Sequence, residues 1–167
     1  VVGVYARGVL VEDTTGKLLV YAGSAVSAEV GDVVKVEGTM ATYGGLRQVA
    51  TPTVTVTGTT SYTYPTATVM DGAAMDAYLS NPVIKYVEYT GTLAISGYYY
   101  NVTVEGAATA VGSLAYVIDG SVDASLDGQK ILVKGWTIGF SGGKYVNTMI
   151  TSVTAADGGS TEPTPDP

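Results

Sequence analysis

The fold is decided by two stretches of the sequence, GTMATYGGLRQV at residues 38–49 and GWTIGFSGGKYVN at residues 135–147. In each, a glycine is followed five positions later by an aromatic residue (Tyr43, Phe140), then by a Gly-Gly pair and a basic residue. Glycine pairs between apolar, alternating runs are typical of tight turns that join antiparallel strands. The two stretches therefore predict the same strand–turn–strand unit twice in one chain.

Alternation of apolar and polar residues extends on both sides of the first stretch. It predicts β-strands, because successive side chains of a strand point to opposite faces. Gly8 lies inside the first predicted strand and marks a bulge or a sharp bend there. The strands predicted before Pro65 are residues 4–13, 17–23, 32–40, 46–51 and 53–58.

The same order of strands recurs from Val87, with glycines at matching places. Gly91 takes the place of Gly8, and Gly135 takes the place of Gly38. A pattern that recurs in position, even with little identity, indicates an internal repeat. The strands predicted in the second copy are residues 87–97, 98–106, 130–138, 144–150 and 151–155.

These patterns predict an all-β fold with two tandem five-stranded barrels, at residues 1–65 and 87–155. The linker at 66–86 contains MDGAAMDAYLSNPV at 70–83, which favours one short helix. Residues 156–167 are acidic and rich in Pro, Gly and Thr, so they are predicted to form a disordered linker.

Composition limits the chemistry available to this chain of 167 residues, of which 46% are hydrophobic. It contains no His and no Cys, which excludes imidazole bases, thiol nucleophiles and most zinc or iron sites. We expect no cofactor, no enzymatic activity and no insertion into a membrane. The net charge is −7, but each predicted barrel is nearly neutral, so neither has the field that attracts a polyanion.

Two acidic groups are candidates for a reactive or metal site. Glu12 and Asp13 are adjacent, so a strand sends their side chains to opposite faces just before a predicted hairpin turn. Asp119, Asp123 and Asp127 are spaced by four residues, whereas a calcium loop has acids at alternate positions and a final glutamate. Turns account better for both groups, and a calcium ion near Asp119 to Asp127 stays an open alternative.

Four segments carry a resemblance to a known kind of module: ARGVLVEDTTGKLLVYAG, VGDVVKVEGTMATYGGLRQV, YVEYTGTLAISGYYYNVTVEGA and LDGQKILVKGWTIGFSGGKYVNTMITSV. They resemble the tandem oligonucleotide/oligosaccharide-binding (OB) modules of exported Bacteroidetes proteins, including lipoproteins. The first two are also similar to the OB domains that accompany extracellular bacterial nucleases. A typical OB fold has a helix between its third and fourth strands, whereas a Gly-Gly turn is predicted to join those strands here.

The resemblance implies small five-stranded barrels with an accessory role beside other domains of a larger polypeptide. It also implies export to the cell surface or outer membrane, or secretion, with a signal sequence outside the given chain. The implied partners are a glycan or single-stranded nucleic acid.

Aromatic rings beside cations are the best candidates for a binding site, because bases and sugars both stack on exposed rings. The alternative is a structural spacer or protein-interaction module without a small ligand, since tyrosine is also a common structural residue of strands. Three or more exposed rings in one groove favour binding, whereas buried or scattered rings favour the spacer. The candidate residues are Tyr5, Arg7, Tyr43, Arg47, Trp136, Phe140, Lys144 and Tyr145, with Lys17, Tyr21, Tyr98, Tyr100 and Lys134 as further neighbours.

Overall fold

The computed structural model describes residues 1–156 and shows a mainly β protein, with 56% strand and 6% helix. All of the predicted disordered linker except Ala156 lies outside the described residues. The described residues form two sheets. The predicted all-β class is therefore confirmed.

The first sheet has five strands in the order β1-β2-β3-β5-β4. All neighbouring strands are antiparallel except β3 and β5, which run parallel. The strands are β1 (Gly3–Tyr5), β2 (Gly8–Asp13), β3 (Gly16–Tyr21), β4 (Asp32–Tyr43) and β5 (Leu46–Thr59).

The second sheet closes into a five-stranded barrel, because β7 pairs with β10 as well as with β8. The barrel strands follow the order β7-β8-β9-β11-β10, and β9 runs parallel to β11. A two-residue strand, β6, adds to β7 from outside this ring. The elements are β6 (Thr68–Val69), α1 (Gly72–Tyr78), β7 (Lys85–Ser96), β8 (Tyr99–Thr103), β9 (Val111–Leu114), a 3-10 turn (Ala124–Leu126), β10 (Lys130–Ser141) and β11 (Tyr145–Ala155).

The two sheets have the same strand order, but the first is open and is not the closed barrel that the sequence predicts. In the barrel, β7 and β10 pair from Lys130↔Thr92 to Thr137↔Lys85. In the first sheet the corresponding strand β1 has three residues and pairs with β2. Two hydrogen bonds link Val1 to the start of β4: Gly31 N–H donates to Val1 O (2.9 Å), and the Val1 ammonium donates to Asp32 O (2.7 Å).

Several predicted strands have different ends in the structure. The segment predicted as one strand at residues 4–13 is a hairpin that turns at Ala6-Arg7. Gly8 starts β2 where a Cβ atom would lie 2.0 Å from the Val20 carbonyl oxygen, so only glycine fits this close approach. Residues 46–51 and 53–58 form the single strand β5, whose pairing with β4 is irregular at Thr51, where φ is 45°.

The order of strands around the Gly-Gly turns also needs correction. Residues 144–150 and 151–155 form the single strand β11, and the sequence pattern missed β9. Each Gly-Gly turn therefore joins the fourth strand to the fifth, in the first sheet and in the barrel alike. In both turns the paired glycines have positive φ, between 58° and 84°, which explains the residue type.

The segment predicted as a linker packs on the barrel. Asp71 caps α1 by accepting a hydrogen bond from Ala74 N–H at 2.8 Å. Met70, Met75 and Tyr78 are buried with the barrel strands in one apolar cluster. The helix therefore belongs to the barrel core.

Asp76 ties α1 to the loop before β9. Its carboxylate accepts hydrogen bonds from the backbone N–H groups of Ala108, Thr109 and Ala110 at 2.7–2.9 Å. These bonds, with that of Ala110 the largest cause, hold the pKa of the Asp76 carboxyl below its ordinary value. The carboxylate form is therefore favoured by folding.

We expect Asp76→Asn to lower the melting temperature at pH 7 and to have a much smaller effect near pH 2. The contribution of a carboxyl with a lowered pKa is complete above the ordinary aspartate pKa and disappears as the pH falls through the lowered value. Asp119→Asn is the matched control, because this exposed residue makes no side-chain hydrogen bond within residues 1–156. Parallel curves of melting temperature against pH for the wild type and Asp76→Asn would contradict the assignment.

Candidate ligand-binding surface

A shared apolar cluster, the joint core, holds the two sheets together. Its largest member, Trp136, is 1% exposed, and its indole N–H donates to Val2 O at 3.0 Å. The Trp136 ring also packs on Tyr86, with ring centres 5.0 Å apart. Trp136 therefore has no exposed face on which a ligand can stack. The buried residues of the joint core are Val2, Tyr5, Leu10, Leu19, Tyr86, Trp136, Ile138 and Met149.

The two stretches that decide the fold contact each other. Phe140 N–H donates to Gly44 O at 3.0 Å, so the first Gly-Gly turn docks on the strand that leads to the second. A Cβ atom on Gly45 would lie 2.7 Å from Pro82 and 3.1 Å from the Phe140 ring. The Phe140 ring is thus part of the contact between the two sheets.

The remaining candidates of the second stretch do not join a larger aromatic group. The Lys144 ammonium lies 5.1 Å from the centre of the Tyr145 ring, which makes a local cation–π pair. Tyr98 and Tyr99 are 96% and 71% exposed at the β7–β8 turn. The structure therefore does not assemble the aromatic residues of the second repeat into one surface.

Four tyrosines and one arginine do form such a surface, which we call the Arg7 cluster: Tyr5, Arg7, Tyr21, Tyr43 and Tyr116. The Arg7 guanidinium carbon lies 4.4 Å from the centre of the Tyr116 ring, and its Nη1 donates to the Tyr21 hydroxyl at 3.2 Å. Tyr116 packs edge-on against Tyr5 at 5.8 Å and tilted against Tyr21 at 6.3 Å. One cation is thereby held among three rings.

The rings of the cluster differ in exposure. Tyr5 is 4% exposed and forms its floor, Tyr21 is half-buried, and Tyr43 and Tyr116 are 59% and 46% exposed. A cavity of about 70 Å³ lies beside Tyr5 and Tyr116. It is far smaller than the few hundred cubic ångströms of a typical small-molecule pocket, so a ligand would lie on this surface.

The tyrosine hydroxyls of the cluster influence one another. Burial raises the pKa of Tyr5 and of Tyr116, and the Tyr21 hydroxyl raises both further. Tyr43 lies at the margin, where its hydroxyl is the smallest cause of the same two shifts. Arg7 has a raised pKa because of its hydrogen bond with Tyr21. Near neutral pH, Tyr5 and Tyr116 are therefore neutral phenols beside one positive charge.

Tyr116 is the member that the sequence pattern missed. It follows β9, a strand absent from the predicted repeat, so nothing near it in the sequence indicates that it reaches the first sheet. Its carbonyl accepts a hydrogen bond from Ala6 N–H at 2.9 Å, which fixes it beside the β1–β2 turn. Its φ is 38°, a left-handed conformation that costs a residue with a Cβ atom about 1–2 kcal/mol. Such strain is common at functional positions.

Arg47 and Lys17 lie away from Arg7, in a groove of about 620 Å³. We call it the Lys17–Arg47 groove. Lys17 also makes an ion pair with Glu12 at 3.4 Å. Arg7 contacts Tyr21, at the opposite end of β3 from Lys17. The remaining lining residues of the groove are Leu18, Met40, Leu46, Pro82, Val83 and Ile84.

All the acidic candidates except Asp119 have structural partners among the described residues, and that of Glu12 is Lys17. The Asp13 carboxylate accepts hydrogen bonds from the N–H and the hydroxyl of Thr15. These hydrogen bonds stabilise the hairpin turn that the sequence predicts. Asp123 caps the 3-10 turn by accepting from Ser125 N–H, and Asp127 accepts from Ile95 N–H. Within residues 1–156, no group of three or more acidic side chains is placed to hold a metal ion.

No helix among the described residues is long and apolar enough to cross a membrane. No protein-family model, curated protein or solved structure matches the chain.

Proposed function

We propose that this chain is a non-catalytic binding module whose ligand is a glycan held at the Arg7 cluster. The observation that carries the proposal is the packing of Tyr5, Tyr21 and Tyr116 around a guanidinium, with Tyr21 and Tyr116 open to solvent in part and the exposed Tyr43 at the margin. Tyrosine offers a large, rigid contact area together with a hydroxyl, so it suits ligands with both apolar faces and hydroxyl groups. Sugars have both.

Charge favours a glycan over nucleic acid as the ligand. The chain has 8 basic and 15 acidic residues, and Arg7 is the one cation of the cluster. Nucleic-acid binding depends largely on several phosphate contacts from Lys and Arg. A single guanidinium among neutral phenols suits a ligand with few charges. Of the two ligand classes expected from the sequence, we therefore propose a glycan.

We propose further that both sheets are OB-like units. Support comes from their common strand order and from the parallel pairing of third and fifth strands in each. The 3-10 turn at Ala124–Leu126 lies between the third and fourth barrel strands, where an OB fold has a helix. From the sequence, a Gly-Gly turn was expected in place of the helix that joins the third and fourth strands of a typical OB fold. In the barrel the Gly-Gly turn follows the fourth strand instead, so it does not replace that helix.

A second candidate function is a rigid spacer, and the joint core favours it. Trp136 links the sheets through packing and through its hydrogen bond to Val2 O. The Gly44–Phe140 hydrogen bond adds a second connection. A spacer needs this rigidity but has no need of a strained Tyr116 with its ring half in solvent. The binding proposal explains both features.

The test is a glycan array followed by titration calorimetry with the wild type, Tyr116→Ala and Tyr98→Ala. We expect Tyr116→Ala to weaken binding roughly tenfold or more, the size of effect produced by loss of one stacking ring. Tyr98→Ala is the matched control, because this ring is 96% exposed at a different turn. Its affinity should equal that of the wild type.

Two results would overturn the proposal. The first is the absence of binding to any glycan by a folded wild-type protein, which leaves the spacer as the better function. The second is equal loss of affinity in Tyr116→Ala and Tyr98→Ala, which places the ligand elsewhere. Binding of single-stranded nucleic acid alone in a parallel array would replace the glycan with the other class.

A further inference from the structure

We infer that the glycan bound at the Arg7 cluster presents one carboxylate to Arg7, as a sugar chain with a uronic acid unit can; this inference rests on the proposed function. The cluster holds a guanidinium in a fixed position without pairing it to an acid. Among the described residues, ion pairs are formed by Lys17 with Glu12 and by Lys35 with Glu37, and none involves Arg7. Arg7 is therefore available to an external anion.

The guanidinium is held ready for this role. It has five N–H donors in a planar fork, and within residues 1–156 one hydrogen bond is formed, to the Tyr21 hydroxyl. The guanidinium carbon also lies over the Tyr116 ring, 4.4 Å from its centre, and this contact restrains the side chain. Because the side chain is restrained before binding, less side-chain entropy is lost when the remaining donors engage a carboxylate.

The chemistry of the fork selects a carboxylate. Arginine binds a carboxylate through two parallel hydrogen bonds, and such charge-assisted bonds are about twice as strong as neutral ones. The Tyr5 and Tyr116 hydroxyls stay protonated near neutral pH, because burial raises the pKa of both. They therefore add no negative charge that repels the ligand, and they can donate to sugar oxygens.

The net charge of the protein opposes the binding of an acidic ligand. With −7 overall, the chain repels an acidic polymer at long range, so binding depends on the local contact with Arg7. Arg47 provides the contrast, because it is exposed, lines the Lys17–Arg47 groove and has no ring against its guanidinium in the described part of the chain. Removal of either arginine changes the net charge equally, but removal of Arg7 alone changes the cluster.

The experiment compares each acidic oligosaccharide with its neutral methyl ester, for example oligogalacturonides and their methyl-esterified forms. Titration calorimetry is performed with the wild type, Arg7→Ala, Arg7→Lys and Arg47→Ala. We expect the wild type to bind the acid roughly tenfold or more tightly than the ester, the effect of one charge-assisted pair. Arg7→Ala should remove this preference, Arg7→Lys should reduce it, and Arg47→Ala should preserve it.

The outcomes separate this inference from the proposed function. Equal binding of acid and ester, or a preference lost equally in Arg47→Ala, overturns the carboxylate inference while glycan binding stands. Binding of neutral glycans alone has the same meaning. Absence of binding to acidic and neutral glycans by a folded wild type overturns both. Melting curves of all four proteins establish that any loss of affinity arises in a folded molecule.

Discussion

Replacement of Trp136 with alanine is expected to lower the free energy of unfolding by about 3–5 kcal/mol, the cost of truncating a large buried aromatic residue. Trp136 is 1% exposed, and it contacts both sheets through Tyr86 and Val2. Its removal leaves a cavity in the joint core and an unpaired buried carbonyl at Val2. For a chain of this size, the melting temperature should fall by roughly 6–20 °C.

Urea denaturation followed by circular dichroism measures this effect. Trp136→Phe is the control, since it keeps an aromatic ring but removes the N–H donor, and it should cost about 1–3 kcal/mol. Trp136 is also the one tryptophan of the sequence, so its fluorescence reports on the joint core alone. A loss below about 1 kcal/mol for Trp136→Ala would be incompatible with a fully buried site of this kind.

Gly91→Ala is expected to produce the second large loss, about 1–3 kcal/mol or more from overpacking against backbone. Gly91 lies in β7, where a Cβ atom would be 2.4 Å from the Thr103 carbonyl oxygen and 2.7 Å from a methyl group of Val102. Neither contact can be relieved by rotation of a long side chain. Because β7 pairs with both β8 and β10, a shift of its backbone disturbs the closure of the barrel.

Gly58→Ala is the matched control, because Gly58 lies in β5 with no atom within 4 Å of the added methyl group. This change should be neutral or should stabilise the protein by about 0.4–1 kcal/mol, through the entropy of the unfolded chain. Thermal unfolding of both variants under the same conditions provides the comparison. Similar stability of the two variants would show that β7 does not approach β8 as closely as described.

The sequence predicted the strands best where alternation and turn chemistry are local. The predicted strand at 32–40 lies within β4, and the Gly-Gly turns occur where the pattern places them. The missed strand β9, Val111–Leu114, contains Gly and Ser and has four residues. It is a strand because it pairs with β8 and β11, and such tertiary pairing overrides weak local preference.

The candidate surface was predicted only in part, because tertiary contacts decide which residues form it. Tyr5, Arg7 and Tyr43 were named from the first repeat, and all three belong to the Arg7 cluster. Trp136 looked equally suitable as an aromatic residue of a strand, and only the packing of one sheet on the other buries it. Tyr116 approaches Arg7 from the second repeat. Contacts between repeats have no periodicity in the sequence, so no local pattern indicates them.

The docking of the first Gly-Gly turn on β10 has a consequence for the substitutions that each turn can accept. Added atoms at Gly44 would meet the Phe140 backbone at 2.9 Å, whereas at Gly143 no atom lies within 4 Å of an added Cβ. A side chain added at Gly143 therefore has to fit only its own hairpin. A side chain added at Gly44 must also fit against the Phe140 backbone of the second sheet. Similar Gly-Gly turns in one chain thus differ in the substitutions that their surroundings allow.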